Sequence, residues 1–250
     1  MGNKQLLQGK VSIITGSANG IGKATALKFG EEGAVVIVCD LNAEKVHAVV
    51  DEIIASGGNA AGYVVDVTKS ETIGLMVEDV KKRYGRIDVL INNAGITQDS
   101  SFKKMTEVQF DNVIGVNLKG TFNCGHAVID TMLAQGSGVI VNASSVVGLY
   151  GNFGQTNYAA TKWAVIGMTK TWAKELGPKG IRSMAVCPGF TLTEMVKAMP
   201  NDVLAKIAAG IPSRRLAEPK EIANVYAFLA SDAASYMNGS VVEVSGGVTL

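Results

Sequence analysis

Cysteine and histidine are scarce in this 250-residue chain, which has three of the first and two of the second. Cys39, Cys124 and Cys187 form no Cys-x-x-Cys pair, and neither His47 nor His126 lies near another ligand type. Zinc sites and disulfide scaffolds need such groupings, so no metal is expected and the thiols read as buried and reduced. An excess of one charge is missing too: 23 basic residues face 22 acidic ones, a formal net charge of +1. That argues against nucleic acid or an anionic membrane surface as the main partner. No apolar run exceeds about six residues, against the ~20 needed to cross a bilayer. Residues 1–10 lack the apolar core of a signal peptide, so a cytoplasmic protein is expected. Proline is sparse, at 5 residues, and no linker, repeat or low-complexity tract divides the sequence. One domain over residues 1–250 is therefore expected.

What the chain does have is a regular alternation. Short β-branched runs stand at residues 11–15, 35–40, 62–67, 89–92, 138–142, 183–186 and 241–244. Most are continuously apolar, the pattern of parallel strands buried on both faces. Between them, residues 21–32, 43–56 and 71–84 carry helical periodicity, and two longer helices are predicted at 106–135 and 157–176. Gly33, Gly57, Gly85, Gly136 and Gly177 follow these helices, where a left-handed cap belongs. The expected class is α/β: a single doubly wound, parallel, seven-stranded sheet with right-handed crossovers and helices on both faces.

The first strand runs into Gly16-Ser17-Ala18-Asn19-Gly20-Ile21-Gly22 and then a helix. Such glycines let the backbone turn tightly against a pyrophosphate, and the helix N-terminus offers free N–H groups and partial positive charge. The spacing is G-x-x-x-G-x-G rather than G-x-G-x-x-G, and an ordinary strand-to-helix turn would also use glycines. Asp40, followed by Leu41, ends the second strand 18 residues after Gly22. A carboxylate there accepts from the adenosine ribose of NAD and repels the 2′-phosphate of NADP. The nearest cations are Lys23 and Lys45, with no arginine in the turn, so NAD(H) is favoured over NADP(H); Asp40 can also serve as a helix N-cap. Asp66, flanked by Val65 and Val67 at the close of the third run, can accept from the adenine amino group or cap a turn. In Asn92-Asn93-Ala94-Gly95, two amides can tie strands together while small residues admit the nicotinamide ribose.

Tyr158 and Lys162 lie four apart in a predicted helix and share a face. A free phenol has a pKa near ~10; a nearby ammonium, with oxidised nicotinamide, favours its phenolate and makes it a usable acid/base. The same pair reads equally as a partly buried tyrosine beside a solvated lysine. Ser145 follows the fifth strand, where ligand crevices open in such sheets. Without a His or Asp partner it is a positioner rather than a nucleophile. Asn117, in an apolar helical stretch, can distort the helix and hold a water reaching Lys162.

Together these residues resemble the short-chain dehydrogenase/reductase family. The matching motifs are Thr15-Gly16-x-x-x-Gly20-Ile21-Gly22, Asn92-Asn93-Ala94-Gly95, Asn117, Ser145, Tyr158-Ala159-Ala160-Thr161-Lys162 and Pro188-Gly189, in order over nearly the whole chain. The resemblance implies a Rossmann-type fold and hydride transfer between NAD(P) and a carbonyl or secondary alcohol. It makes Tyr158 the general acid/base and Ser145 the residue that orients the carbonyl. Lys162 would bind the nicotinamide ribose and lower the tyrosine pKa, and Asn117 would hold a relay water. Pro188, Gly189 and Thr191 or Thr193 would line the nicotinamide, alongside Asn93, Ala94 and Gly95. Within the family, the stretch from Ser145 to Tyr158 is very similar to bacterial 3-oxoacyl-acyl-carrier-protein reductases, which implies an acyl thioester substrate. Those enzymes mostly use NADPH and carry a basic residue where this chain has Ala18-Asn19. They dock an acidic carrier protein on arginines near the site, at positions held here by Gly136 and Lys179. Met184 stands where the family usually has Asn. Hydroxysteroid or general secondary-alcohol dehydrogenation is the alternative, and a non-catalytic nucleotide sensor a remote one.

A substrate lid is expected over about residues 190–213. Its Met195, Met199, Leu204, Ile207 and Ile211 suit an apolar or extended substrate, or equally a short amphipathic helix packed on the sheet. Arg214 and Arg215 read as partners of an anionic tail or as surface residues. Trp163, Val165, Ile166, Met168 and Trp172 surround much of their helix, which calls for burial on more than one side. Homo-oligomerisation supplies it, and the resemblance implies a tetramer, with residues 241–250 at a second contact.

Overall fold

The computed structural model describes residues 5–197 and 199–248, leaving aside the Met195 side chain. Seven strands form one sheet: β1 (Val11–Thr15), β2 (Val35–Asp40), β3 (Asn59–Val64), β4 (Val89–Asn92), β5 (Gly138–Ala143), β6 (Ile181–Pro188) and β7 (Val241–Val244). Their order is β3-β2-β1-β4-β5-β6-β7, and every pairing is parallel. The winding reverses between β1 and β4, which opens the ligand crevice at the carboxyl ends of these strands.

Alternation along the buried strands feeds two cores. Ile14, Val38, Ile91 and Val141 point to one face, against Phe29 of α1 (Gly20–Glu31) and Tyr226 of α10 (Pro219–Ala230). Their neighbours Ile13, Ile37, Leu90 and Ile140 point to the other, against Val77 and Val80 of α3 (Ser70–Tyr84) and Cys124, Val128 and Met132 of α5 (Gly120–Gln135). Each fully buried aliphatic side chain contributes roughly 1.5–3 kcal/mol of transfer free energy, so the central strands fix the register. The remaining helices are α2 (Ala43–Ala55), α4 (Glu107–Val113), α6 (Val146–Tyr150), α7 (Thr156–Leu176), α8 (Glu194–Lys197) and α9 (Asn201–Gly210).

Three local expectations need correction. The third strand occupies Asn59–Val64 rather than 62–67, because pairing with β2 starts at Val35↔Asn59 and ends at Asp40↔Val64. It is an edge strand with no buried residue, so apolar content misplaced it; Asp66 follows the strand instead of closing it. Gly177 is not a left-handed cap: it has φ −54° and continues into a 3-10 turn, and Gly180 takes the positive φ of +79°. Only glycine fits there, since a Cβ would sit 2.1 Å from the Gly136 carbonyl oxygen. The helix predicted at 106–135 is α4 and α5 joined through a π-helical segment, Ile114–Lys119, with Asn117 inside it.

Among the described residues no helix is long and apolar enough to cross a membrane. Nor is any group of three or more His, Cys, Asp or Glu among them placed to hold a metal ion.

Candidate active site

The glycine turn is shaped by exclusion. A Cβ on Gly22 would lie 2.0 Å from the Gly16 carbonyl oxygen, and one on Gly16 would lie 2.8 Å from Ala94 Cα. Gly16 and Gly20 have φ of +62° and +53°, a region that glycine enters without a steric penalty. Side chains brace the turn from beneath. Ser17 Oγ accepts from the Cys39 N–H at 2.8 Å and donates to the Ile14 carbonyl at 2.8 Å. The Asn93 amide donates to the carbonyls of Gly16 and Thr15, and Thr15 Oγ1 accepts from the N–H groups of Asn93 and Ala94. Asn19 gives α1 no side-chain cap, so Gly20, Ile21 and Gly22 begin the helix without one. Its Oδ1 instead accepts from Lys45 Nζ at 3.2 Å.

Asp40 stands at the tip of β2. Its Oδ1 accepts from the Leu41 N–H at 2.8 Å and its Oδ2 from the Ala18 N–H at 3.2 Å. It does not cap α2; Asn42 does, accepting from the Lys45 N–H. Asp66 accepts from the N–H and hydroxyl of Thr68 at 2.9 and 2.7 Å, and the Thr68 hydroxyl first of all lowers its pKa. Asp66 therefore caps a turn while still facing the crevice: Gly16, Asp40, Leu41, Asp66, Val67 and Gly95 line one cavity of about 170 Å³. A glycine cradle that admits no Cβ, opening onto this cavity, fits a dinucleotide.

The second half of the site is built from buried polar side chains. Lys162 projects from the second turn of α7 and is 4% exposed. Its ammonium donates to the Ala143 carbonyl at 2.7 Å and lies 5.4 Å from the centre of the Tyr158 ring. Burial pulls its pKa down to about 8. Burial likewise pushes the Tyr158 hydroxyl up to about 12, with a hydrogen bond to Ser145 pulling down and the Asp99 charge pushing up. The expected lowering of the tyrosine pKa by Lys162 is thus not what dominates in this structure. Desolvation acts against the charged form of both groups and is the largest cause of each shift.

Ser145 is the N-cap of α6, its Oγ accepting from the Val147 N–H at 3.1 Å. The Asn117 amide grips one residue across the crevice: it accepts from the Ile96 N–H at 2.8 Å and donates to the Ile96 carbonyl at 3.0 Å. Its remaining donor reaches Thr161 Oγ1 at 3.3 Å. The π-helical turn is the distortion expected of such an amide. Asn117 and Lys162 meet at Gly95, where an added Cβ would lie 3.4 Å from Asn117 Oδ1 and 3.5 Å from Lys162 Nζ. Pro188 ends β6, and a Cβ on Gly189 would strike Ser245. The Thr191 hydroxyl donates to the Gly189 carbonyl, whereas Thr193 packs over Gly20.

The lid packs mostly on itself. Leu204 and Ile207 of α9 cover Ile211 and Leu216 in a small core with Val146, the neighbour of Ser145. Met199 stays exposed, while the side chain of Met195 lies outside the described residues. Arg215 forms a two-pronged pair with Glu221, and Arg214 donates to the Ala209 carbonyl, so both arginines already have partners within the chain. Gly136 and Lys179 precede β5 and β6. They sit at the amino ends of these strands, across the sheet from Ser145, and not near the site of the same chain. Met184 is fully buried in the core, 3.6 Å from an Arg182 nitrogen.

Several contributors escaped the sequence reading: Ser17, Ala143 and Thr161 as partners, and Asp99, Gln155 and Asn157 beside Tyr158. Half of these act through backbone atoms or short hydroxyls, and the others through side chains paired over long sequence separations, so neither leaves a spacing signal.

Comparison with known proteins matches this architecture. The family model described as Enoyl-(Acyl carrier protein) reductase matches residues 16–249. The 3-oxoacyl-[acyl-carrier-protein] reductase of Thermotoga maritima is 50% identical over 244 residues, covering 98% of this chain and 99% of the relative. Its counterpart from Staphylococcus epidermidis is 44% identical, covering 96% and 98%. The crystal structure of the 3-oxoacyl-[acyl-carrier protein] reductase from Brucella melitensis superposes with a TM-score of 0.94 at 36% identity, covering 99% and 94%. With its cradle, its crevice and this likeness along its length, the chain belongs to the short-chain dehydrogenase/reductase family and is an oxidoreductase acting on a carbonyl or CH–OH group.

Proposed function

We propose that this enzyme reduces 3-oxoacyl thioesters with NADH. The observation that supports the site most directly is the meeting of Lys162 and Asn117 at Gly95, which also lines the Asp40 cavity. In this reading Gly16, Asn19, Gly20, Ile21 and Gly22 hold the pyrophosphate, Asp40 and Leu41 the adenosine ribose, and Asp66 and Val67 the adenine. Asn93, Ala94, Gly95, Tyr158 and Lys162 take the nicotinamide ribose, with Pro188, Gly189, Thr191 and Thr193 around the ring. When bound, the nicotinamide supplies the hydride.

The residues of the chain handle the proton. Tyr158, raised to about 12, is protonated at neutral pH and donates to the substrate oxygen. Ser145 Oγ orients that oxygen. Lys162, held by the Ala143 carbonyl, brings positive charge toward the phenolate that donation leaves behind. Asn117 fixes Ile96 and with it one wall of the cavity.

NADH preference rests on Asp40, whose carboxylate is fixed by two backbone N–H groups at the ribose end. Lys45 is the opposing observation, since it reaches Asn19 in the same turn. The thioester class rests on the names of the relatives. A secondary-alcohol or hydroxysteroid dehydrogenase is favoured instead by Asp40, which suits NADH where 3-oxoacyl reductases mostly use NADPH; Gly136 and Lys179, at the far end of the sheet, favour neither reading.

Initial rates with NADH and NADPH, against acetoacetyl-coenzyme A and a panel of ketones and oxosteroids, test all of this. NADH and the thioester should be fastest. A preference for NADPH overturns the role given to Asp40, and faster ketone or steroid turnover moves the enzyme to the second reading.

We also propose a homotetramer. Phe122, Leu133 and Trp163 are exposed on α5 and α7, and Phe122, Ile129 and Trp172 line a cavity of about 200 Å³ between these helices. A monomer by light scattering would overturn it.

A further inference from the structure

The segment after β4 passes directly over the start of α7 and is tied there at successive residues. Asn157 Nδ2 donates to the Gln98 carbonyl at 3.0 Å, and the Ser100 N–H donates to the Gly154 carbonyl at 2.8 Å. Between these, Gln155 Nε2 donates to both carboxylate oxygens of Asp99, at 3.1 and 3.0 Å. Gln155 is itself held, because its Oε1 accepts from Asn152 Nδ2 at 2.9 Å. Asn157 Oδ1 accepts from the Tyr158 N–H at 2.8 Å, so one residue grips both the segment and the backbone of the tyrosine. At its other end the segment is fixed by Asn117 through Ile96. The stretch between Ile96 and Ser100 thus spans the gap between Asn117 and Tyr158, and Asp99 is the charge it carries.

We propose that Asp99, clamped by Gln155, is a positioning residue for Tyr158: it locks the spanning segment against α7 and keeps a negative charge beside the phenol. The proposal rests on the reading of Tyr158 as the acid/base. The other titratable groups around the phenol come from three elements. Lys162 is on its own helix, Tyr226 on α10, and Cys187, next to Lys162, on β6. The Asp99 carboxylate acts against loss of the phenolic proton. A proton donor working in the reduction direction gains from that, because it stays protonated to higher pH. A negative charge also keeps Lys162 protonated, so the sign is the same whichever member of the coupled pair is observed.

The test is the pH profile of kcat for reduction in Asp99→Asn, which keeps the shape and an acceptor for Gln155 while removing the charge. The alkaline limb should move down by about half a pH unit. Gln155→Leu keeps the charge but frees the segment; kcat should fall about three- to tenfold with KM for NADH unchanged. Thermal unfolding and NADH titration of each variant establish that fold and cofactor binding persist. Tyr158→Phe is measured alongside. If it is inactive while the Asp99→Asn limb stays in place and Gln155→Leu keeps full kcat, the clamp is refuted and the acid/base assignment stands. If Tyr158→Phe remains active, the acid/base assignment fails, and the clamp with it.

Discussion

The two halves of the crevice are made by opposite means. Around β1 and β2 the surface is defined by atoms that are missing: Gly16 and Gly22 leave no room for a Cβ, and backbone forms the cradle. Around β5 and α7 it is defined by polar groups held out of water: Lys162, Asn117 and Ser145 are all buried, and each has a hydrogen-bond partner. In the proposed reading the first half binds by shape and by N–H groups. The second holds an ammonium and a phenol where their charged forms are disfavoured. Binding surfaces can be made from backbone, but side-chain acid/base chemistry needs ionisable groups held out of water, and burying the charged form of a group such as Lys162 opposes stability.

The contrast can be broken by adding an atom to one half and removing one from the other. Gly22→Ala should have the largest structural effect. Its Cβ would meet the Gly16 carbonyl oxygen at 2.0 Å, so backbone must move. A loss of about 3 kcal/mol or more is expected, seen as a melting temperature lower by about 6 °C or more together with lost NADH binding. Unchanged melting and binding would show that the cradle is softer than its geometry says.

Tyr158→Phe should do the reverse. It removes one oxygen from the chemical half, so turnover should drop by about a hundredfold or more while NADH binding and stability stay near those of the parent. Residual activity above about a hundredth would assign the proton to another group.

The smallest and most discriminating effect is the stability of Lys162→Met. The folded-state pKa of Lys162, about 8, lies below the ordinary 10.5. Below pH 8 the group is charged in both states and the folded state bears the full penalty; as pH rises from about 8 to 10.5 that penalty disappears. The shift corresponds to about 3 kcal/mol at neutral pH, reduced by about 1 kcal/mol for the orphaned Ala143 carbonyl. Lys162→Met should therefore melt a few degrees higher than the parent at pH 7, with the gap closing toward pH 10. A lower melting temperature at pH 7 would mean that the ammonium is better solvated than its 4% exposure implies.

Legibility in the sequence followed the same division. Among the central strands, buried on both faces, β1, β2 and β4 keep the expected limits; β7, an edge strand with no buried residue, keeps them too. The other edge strand, β3, could not be read: its neighbour on one side is β2 and on the other solvent, so pairing rather than apolar content sets its ends. Gly33, Gly57, Gly85 and Gly136 all take positive φ after their helices, but Gly177 yields to Gly180 because of contact with Gly136, 44 residues away (180 − 136). Asp40 was found by its place at a strand end, whereas the bonds it accepts from the N–H groups of Ala18 and Leu41 were not, since N–H groups have no sequence signature. The pairing of Asp99 with Gln155 was not legible for a similar reason: the two lie 56 residues apart and have no motif spacing.

By itself the sequence determined the strand–helix alternation, the single sheet, the glycine turn, and the identities of Asn117, Ser145, Tyr158 and Lys162. These are local patterns of side-chain type, period and Cβ absence. Tertiary structure decided how the four side chains meet, which partners hold them, and where their protons sit. Those depend on burial and on contacts between residues far apart in sequence. A tyrosine and a lysine four apart share a helix face on sequence alone, but only the folded crevice sets how deeply each is buried, and burial is the largest influence on both.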